Sequence, residues 1–149
     1  MTKPTTLPLS EIPRGEYAFP GPLRDSLVEA ILSGVKTATT CLLAQFDKGE
    51  DPCNQLGSLE AVIDSNGNVA CVTRTLEVQI VRLGDVTDEH AIAEGEGYRT
   101  AAEWRAGHED FWRSEEFVTS YGELQLDDDT LVVCCRFAVD PRYPVNATS

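Results

Sequence analysis

Basic residues are scarce in this chain: 12 Lys and Arg stand against 25 Asp and Glu over 149 residues, for a formal net charge of −13. The few cations are scattered, with no Lys/Arg cluster to track a phosphate backbone. The long-range field repels polyanions and lowers their association rate. That argues against avid, sequence-independent nucleic-acid binding, and no DNA partner is expected. A small neutral ligand such as a nucleoside is indifferent to the net field, and a short RNA could still meet a locally positive groove. Long apolar runs are also missing. Stretches such as residues 131–135 are far too short to span a bilayer, and Met1, Thr2, Lys3, Pro4 opens no apolar leader. A soluble, cytoplasmic protein with no membrane partner is expected. The five cysteines (Cys41, Cys53, Cys71, Cys134, Cys135) contain no CxxC pair, and the adjacent two must point to opposite faces of a strand. This odd set suits neither a disulfide framework nor a zinc site; the cysteines read as small buried hydrophobes. No metal and no other cofactor is expected.

What is present suffices for one compact domain. With 42% hydrophobic residues, a chain of this size buries roughly two-thirds of its unfolded surface. Pro4, Pro8, Pro13, Pro20 and Pro22 make the start irregular, so residues 1–18 read as an arm, 19–141 as the domain and 142–149 as a tail. Leu23, Leu27, Val28 and Ile31 predict an amphipathic helix ending at Gly34. A strand is expected over residues 37–46. Leu59, Ala61 and Ile63 then alternate with Glu60, Val62 and Asp64, and Ser65, Asn66, Gly67, Asn68 give the strongest hairpin signal in the chain. The long return strand shifts phase near Thr73 and Arg74, which predicts a bulge there. Residues 85–94 read as a short helix stopped by Gly95 and Gly97. Thr100 and Glu103 form a capping box for a helix that carries Ala101, Trp104, His108 and Phe111 on one face. Residues 131–139 read as a last buried strand. Strands return by hairpin without a βαβ rhythm, so the expectation is an α+β domain built on a small antiparallel β-barrel with two or three inserted helices.

Two constellations could carry chemistry. Lys36, one of three lysines, sits where the first helix gives way to a strand, in the run Gly34, Val35, Lys36, Thr37, Ala38, Thr39, Thr40. A buried lysine amine can lose its proton near neutral pH and act as a base, and a threonine hydroxyl beside it can be a nucleophile. Equally, Lys36 can cap the helix and the threonines can be plain strand formers. The second constellation is Glu94, Gly95, Glu96, Gly97, Tyr98. Carboxylates flanked by glycine can approach a ligand closely and exchange a proton with it, or they can form a loop of solvated acids. His108, Trp104 and Phe111 read as core, His108 as a hydrogen-bonded core histidine. Asn146, Ala147, Thr148 matches a glycosylation sequon, discounted without a secretory leader.

The order of "GVKTAT" after a helix, "LGSLEAVIDSNGNVACVTRTLEVQIV", "HAIAEGEGYRTAAEWRAGHEDFW" and a closing "LVVCCRF" strand resembles the ASCH domain, the activating-signal-cointegrator homology family, over about residues 19–139. The resemblance implies a PUA-like fold and a cleft associated with RNA or nucleoside ligands. Within that superfamily the chain is similar to short bacterial N4-acetylcytidine amidohydrolases. Their Gly-x-Lys-Thr-x-Thr pattern falls on Gly34, Lys36, Thr37 and Thr39, and their glutamate, four residues after a histidine, falls on Glu94 after His90. The chain departs from them in its length, its EGEG segment and its Trp-containing helix.

The mechanism this implies is amide hydrolysis on an acylated pyrimidine nucleoside. Thr39 attacks the acyl carbonyl, Lys36 takes its proton, and Glu94 positions the amine or protonates it as it leaves, with backbone N–H groups of the Lys36 turn as the oxyanion contacts. Thr37, Thr40, Glu96 and Tyr98 surround the substrate. The alternative is an RNA-binding module or a ribonuclease using the same cleft, with Lys36 on a phosphate and Tyr98 or Trp104 lining the cleft.

Overall fold

The computed structural model describes residues 7–143; the first six residues and the sequon at Asn146 lie outside the described residues. Nine regular elements follow in the order β1 (Arg14–Gly15), α1 (Pro22–Leu32), β2 (Ala38–Leu42), β3 (Leu59–Ile63), β4 (Val69–Arg82), α2 (Asp88–Ala93), α3 (Ala101–Trp112), α4 (Glu115–Tyr121) and β5 (Leu131–Val139). The strands form one five-stranded sheet in the order β1-β3-β4-β5-β2. The α+β class is as expected, but the small antiparallel barrel needs correcting. The two-residue β1 enters parallel to β3, so the sheet is mixed, and among the described residues no ladder joins edge strand β1 to edge strand β2, so it is not closed. Among the described residues the α-helices number four, one more than the upper expectation. No helix among the described residues is long and apolar enough to cross a membrane.

Local chemistry accounts for the elements. Pro22 starts α1, Leu27, Val28 and Ile31 are buried from it, and Gly34 (φ +82°) follows its last residues. In the β3–β4 hairpin, the Asp64 carboxylate accepts from the N–H groups of Asn66 and Asn68, both at 2.9 Å, an Asx arrangement that fixes the turn. The bulge lies slightly later than expected: Leu76, 55% exposed, stands opposite no β5 residue between the pairs Thr75↔Phe137 and Glu77↔Arg136. The strand after α1 is also shorter than expected, because Thr37 N–H donates to Ala93 O (2.8 Å) and the Gln45 side chain caps Leu42 N–H (2.9 Å). On α3, Thr100 Oγ1 accepts from Glu103 N–H (3.2 Å), but Glu103 reaches back to Arg99 N–H (2.8 Å), one residue beyond the expected capping box.

The arm is held against the domain where it is described. Ile12 is buried with Ala61 and Val72. The sheet has apolar contacts on both faces. Val132 and Cys134 pack with Leu42, Trp104, Trp112 and Phe117 on one side, and Phe137 packs with Val28, Ile31 and Val62 on the other. Strand alternation in β5 turns Val133 and Cys135 into the cavity described next. Of the cysteines, Cys71 and Cys134 are buried as expected, whereas Cys53 is exposed on a surface turn.

Candidate functional site

Four segments meet at one buried carboxylate: the Lys36 turn, β2, α2 and α3. Thr87 caps α2 through His90 N–H (3.1 Å), and the helix places His90 and Glu94 one turn apart on one face. At its end Gly95 (φ +68°) is forced by proximity as well as conformation: a Cβ there would lie 2.5 Å from Val35 O and 2.7 Å from Lys36 Cα. The bare glycine therefore serves the approach of α2 to the Lys36 turn, in place of the ligand approach suggested by the sequence.

Glu94 Oε2 accepts from Thr40 Oγ1 (2.7 Å) and from Trp104 Nε1–H (2.6 Å), and His90 Nε2 lies 2.9 Å away. His90 Nε2 is also 2.6 Å from Thr40 Oγ1. Glu94 Oε1 is different: it is buried and faces His108 Nε2 at 3.1 Å and Lys36 Nζ at 3.6 Å. His108 Nδ1 lies 3.0 Å from Trp104 O, an oxygen that can only accept, so Nδ1 carries a proton and Nε2 donates to Glu94 only in the imidazolium form. His108 stacks on Trp104, with ring centroids 4.3 Å apart.

Lys36 is 2% exposed. Its Nζ donates to Ala38 O (2.8 Å), Glu94 O (3.3 Å) and Glu96 Oε2 (3.3 Å), so the side chain is sunk among oxygens away from bulk solvent. The two glutamates respond oppositely. Burial pushes the Glu94 carboxyl up, but hydrogen bonds from His108 and His90 and the charge of Lys36 outweigh it and hold the group well below the usual carboxylate range. Burial pushes Glu96 up, Lys36 offsets part of the rise, and the neighbouring Glu94 charge adds to it. Glu94, Glu96 and His108 bring three potential metal-ligand atoms within 4.8 Å of one another. The Lys36 ammonium already supplies positive charge between the same two carboxylates.

These groups open onto a cavity of about 370 Å³, within the range of small-molecule pockets. Tyr17, Tyr98, Phe111 and Trp112 give it aromatic walls, and among the described residues Lys36 is the only lysine or arginine on a lining that also holds Glu16, Glu60, Glu94 and Glu96. Of the residues singled out in the sequence, Lys36, Thr39, Thr40, Glu94, Glu96 and Tyr98 all line this cavity. Thr37 does not; it is exposed and its hydroxyl bonds Ala93 O at 3.3 Å. No hydrogen bond among the described residues engages the Thr39 hydroxyl, whereas Thr40 is tied into the Glu94 network. The N–H groups of Lys36 and Thr37 are spent on Ala30 O and Ala93 O, which removes them as oxyanion contacts.

Sequence reasoning missed the polar roles of Trp104 and His90, and it missed Tyr17 and Glu60 entirely. The spacings His90/Glu94 and Trp104/His108, each one helical turn, were the available signal for the first pair. Nothing local marks the second.

The ASCH domain family matches residues 16–140. The fold is similar to the ASCH domain from Lactobacillus crispatus JV V101, with 26% identity and a TM-score of 0.69, covering 87% of this chain and 79% of that one. It is also similar to protein EF3133 from Enterococcus faecalis V583, with 30% identity and a TM-score of 0.64, covering 77% of this chain and 67% of that one. Among curated proteins no match is found. With a family match running from Glu16 to Asp140, through the Lys36 turn, the Glu94 helix and the closing strand, the chain belongs to the ASCH domain family.

Proposed function

We propose that, within the RNA-associated or hydrolase-like roles of ASCH domains, this chain hydrolyses an amide on an uncharged, nucleoside-like amine, with N4-acetylcytidine as the prototype substrate. The acidity of the cavity carries this reading. A lining with four glutamates and a single lysine repels phosphate and leaves a neutral acylated base as the better guest. The aromatic walls offer stacking surfaces for such a base.

In the chemistry that follows, Thr39 is the nucleophile. Lys36 passes a proton to Glu96, 3.3 Å away, and takes the Thr39 proton as the oxygen attacks the acyl carbon. Lys36, again an ammonium, stabilises the tetrahedral oxyanion in place of the spent backbone groups. Collapse breaks the C–N bond, and the leaving amine takes its proton from Glu96, the carboxyl that burial pushes up. Water then hydrolyses the Thr39 ester, releasing the acid and restoring the hydroxyl. Glu94 stays ionised and holds Lys36, Thr40, His90 and Trp104 in place. RNA binding or cleavage at the same cavity is the second reading, favoured only by the family.

The test is to incubate the pure protein separately with N4-acetylcytidine and with single-stranded RNA. Release of cytidine and acetate, lost in Lys36→Met, is the expected result. RNA cleavage without deacetylation contradicts the proposal.

A further inference from the structure

The mechanism above leaves one half-buried acid of the cavity unused. Glu60 projects from β3 into the cavity, on a strand position whose alternation with Leu59 and Ala61 reads as solvent-facing in the sequence. Burial pushes its carboxyl up, and no cation among the described residues pairs with it. The surroundings are arranged around this group. The parallel pairing of β1 sets Gly15 opposite Val62, and a Cβ on Gly15 would stand 2.0 Å from the Glu60 Cδ. A side chain at position 15 would displace the Glu60 carboxyl from the place it occupies here. The Tyr17 hydroxyl lies against the Glu60 carboxyl.

Tyr17 is itself held in position. Arg24, 3% exposed, donates from Nε to Tyr17 O (3.1 Å) and from Nη2 to Ala18 O (2.9 Å). The chain between them turns through Ala18 at φ +59°, a left-handed conformation that strains a non-glycine residue and that concentrates at ligand-binding segments. A half-buried acid with no cation partner and a strained turn clamped by a buried arginine are both costs to folding, and a glycine leaves the acid its place. An unpaired carboxyl kept in a cavity at such a cost points to a ligand.

We propose that Glu60 and Tyr17 form a recognition subsite in this cavity, which takes the hydrogen-bond donors of an uncharged ligand, either sugar hydroxyls or a base amino group. The proposal rests on the nucleoside reading of the same site. Glu60 accepts from the ligand donors, and Tyr17 offers one further hydroxyl beside it. Neither residue touches the reacting acyl group, so both govern affinity more than the chemical step.

The test is calorimetric binding of cytidine and of cytosine to wild type, Glu60→Gln and Tyr17→Phe, with N4-acetylcytidine turnover and thermal melting measured alongside. The expected result is that Glu60→Gln weakens cytidine binding at least tenfold, Tyr17→Phe less, while the Glu60→Gln melting temperature is unchanged or raised because an unpaired acid has gone. A residue that served only structure would show a lowered melting temperature with affinity retained. If only cytidine binding falls, Glu60 reads the sugar; if cytosine binding falls as well, it reads the base. Cytidine affinity within twofold of wild type in Glu60→Gln overturns the subsite, as does wild type that binds neither probe. Glu60-dependent binding by a wild type that does not turn over N4-acetylcytidine upholds the subsite and retires the hydrolase reading.

Discussion

Replacing Glu94 by glutamine removes the charge from the centre of the site while keeping its volume. Oε2 now takes donors from Thr40 and Trp104 with His90 beside it, and Oε1 faces His108 and Lys36. Whichever way the amide turns, its NH₂ must face a cluster of donors. Breaking a buried ion pair by deleting one partner costs about 3–5 kcal/mol, and each hydrogen bond to a charged acceptor about 1.5–3 kcal/mol. The second range overlaps the first and is not added to it. Retention of the Lys36–Glu96 contact (3.3 Å) keeps Glu94→Gln near the lower bound, about 3 kcal/mol. In urea, with a slope of about 2 kcal/mol per M, the midpoint falls by about 1.5 M at pH 7. The pH dependence has a definite sign. Because the folded carboxyl is held below its ordinary value, its contribution is present above about pH 4.3, the unfolded value, and is lost as pH falls through the folded value. The gap between wild type and Glu94→Gln is therefore flat from neutral pH to about 5 and narrows only below that. Glu96 has the opposite sign, since its folded value is raised: Glu96→Gln gains stability relative to wild type as pH rises. A Glu94→Gln loss under about 1 kcal/mol, or a gap that widens on acidification, refutes a buried, anionic Glu94 as the organiser of the site.

Three further outcomes follow from single contacts. Trp104→Phe removes the indole donor 2.6 Å from Glu94 and costs about 1.5–3 kcal/mol by chemical unfolding; a loss under about 0.5 kcal/mol shows the contact to be idle. Gly95→Ala meets Val35 O at 2.5 Å with φ at +68°, so it lowers stability by more than about 1 kcal/mol and moves α2 off the Lys36 turn; wild-type stability and turnover together contradict this. With a thiol reagent at pH 8, Cys53, exposed, reacts first. Burial pushes Cys41 and Cys134 up to about 12 and Cys71 and Cys135 to about 11, so more than one fast thiol in native protein goes against the burial assigned here.

Turn chemistry and periodicity were legible in the sequence because they are local. Asn66-Gly67 set the hairpin, Leu27, Val28 and Ile31 set the buried face of α1, and Lys36 and Glu94 stood out as charges beside glycines. They meet across 58 residues of chain, and the family resemblance, not the pattern, related them. Three features were not legible, for different reasons. The helix α4, capped by Ser114 through Phe117 N–H (3.3 Å), is one short amphipathic segment whose Ser-Glu-Glu start was the only cue. Trp104 was read as core, and it is fully buried; whether a buried indole N–H has a structural or a site partner depends on tertiary contacts alone. Glu60 alternates with Leu59 and Ala61 in a way that assigns it to solvent, which fails because its face, shared with Val62, is covered by α1 and Tyr17.

The central claim is that the acidic cavity at Lys36 and Glu94 receives an uncharged nucleoside and excludes phosphate. Calorimetric affinities of cytidine and cytidine 5′-monophosphate for wild type, at low and at physiological salt, test it most directly. The account predicts that cytidine binds at least tenfold more tightly than its monophosphate, with the gap narrowing as salt screens the glutamates. A monophosphate that binds as tightly as cytidine or more so, and weakens as salt rises, contradicts it and makes Lys36 a phosphate contact.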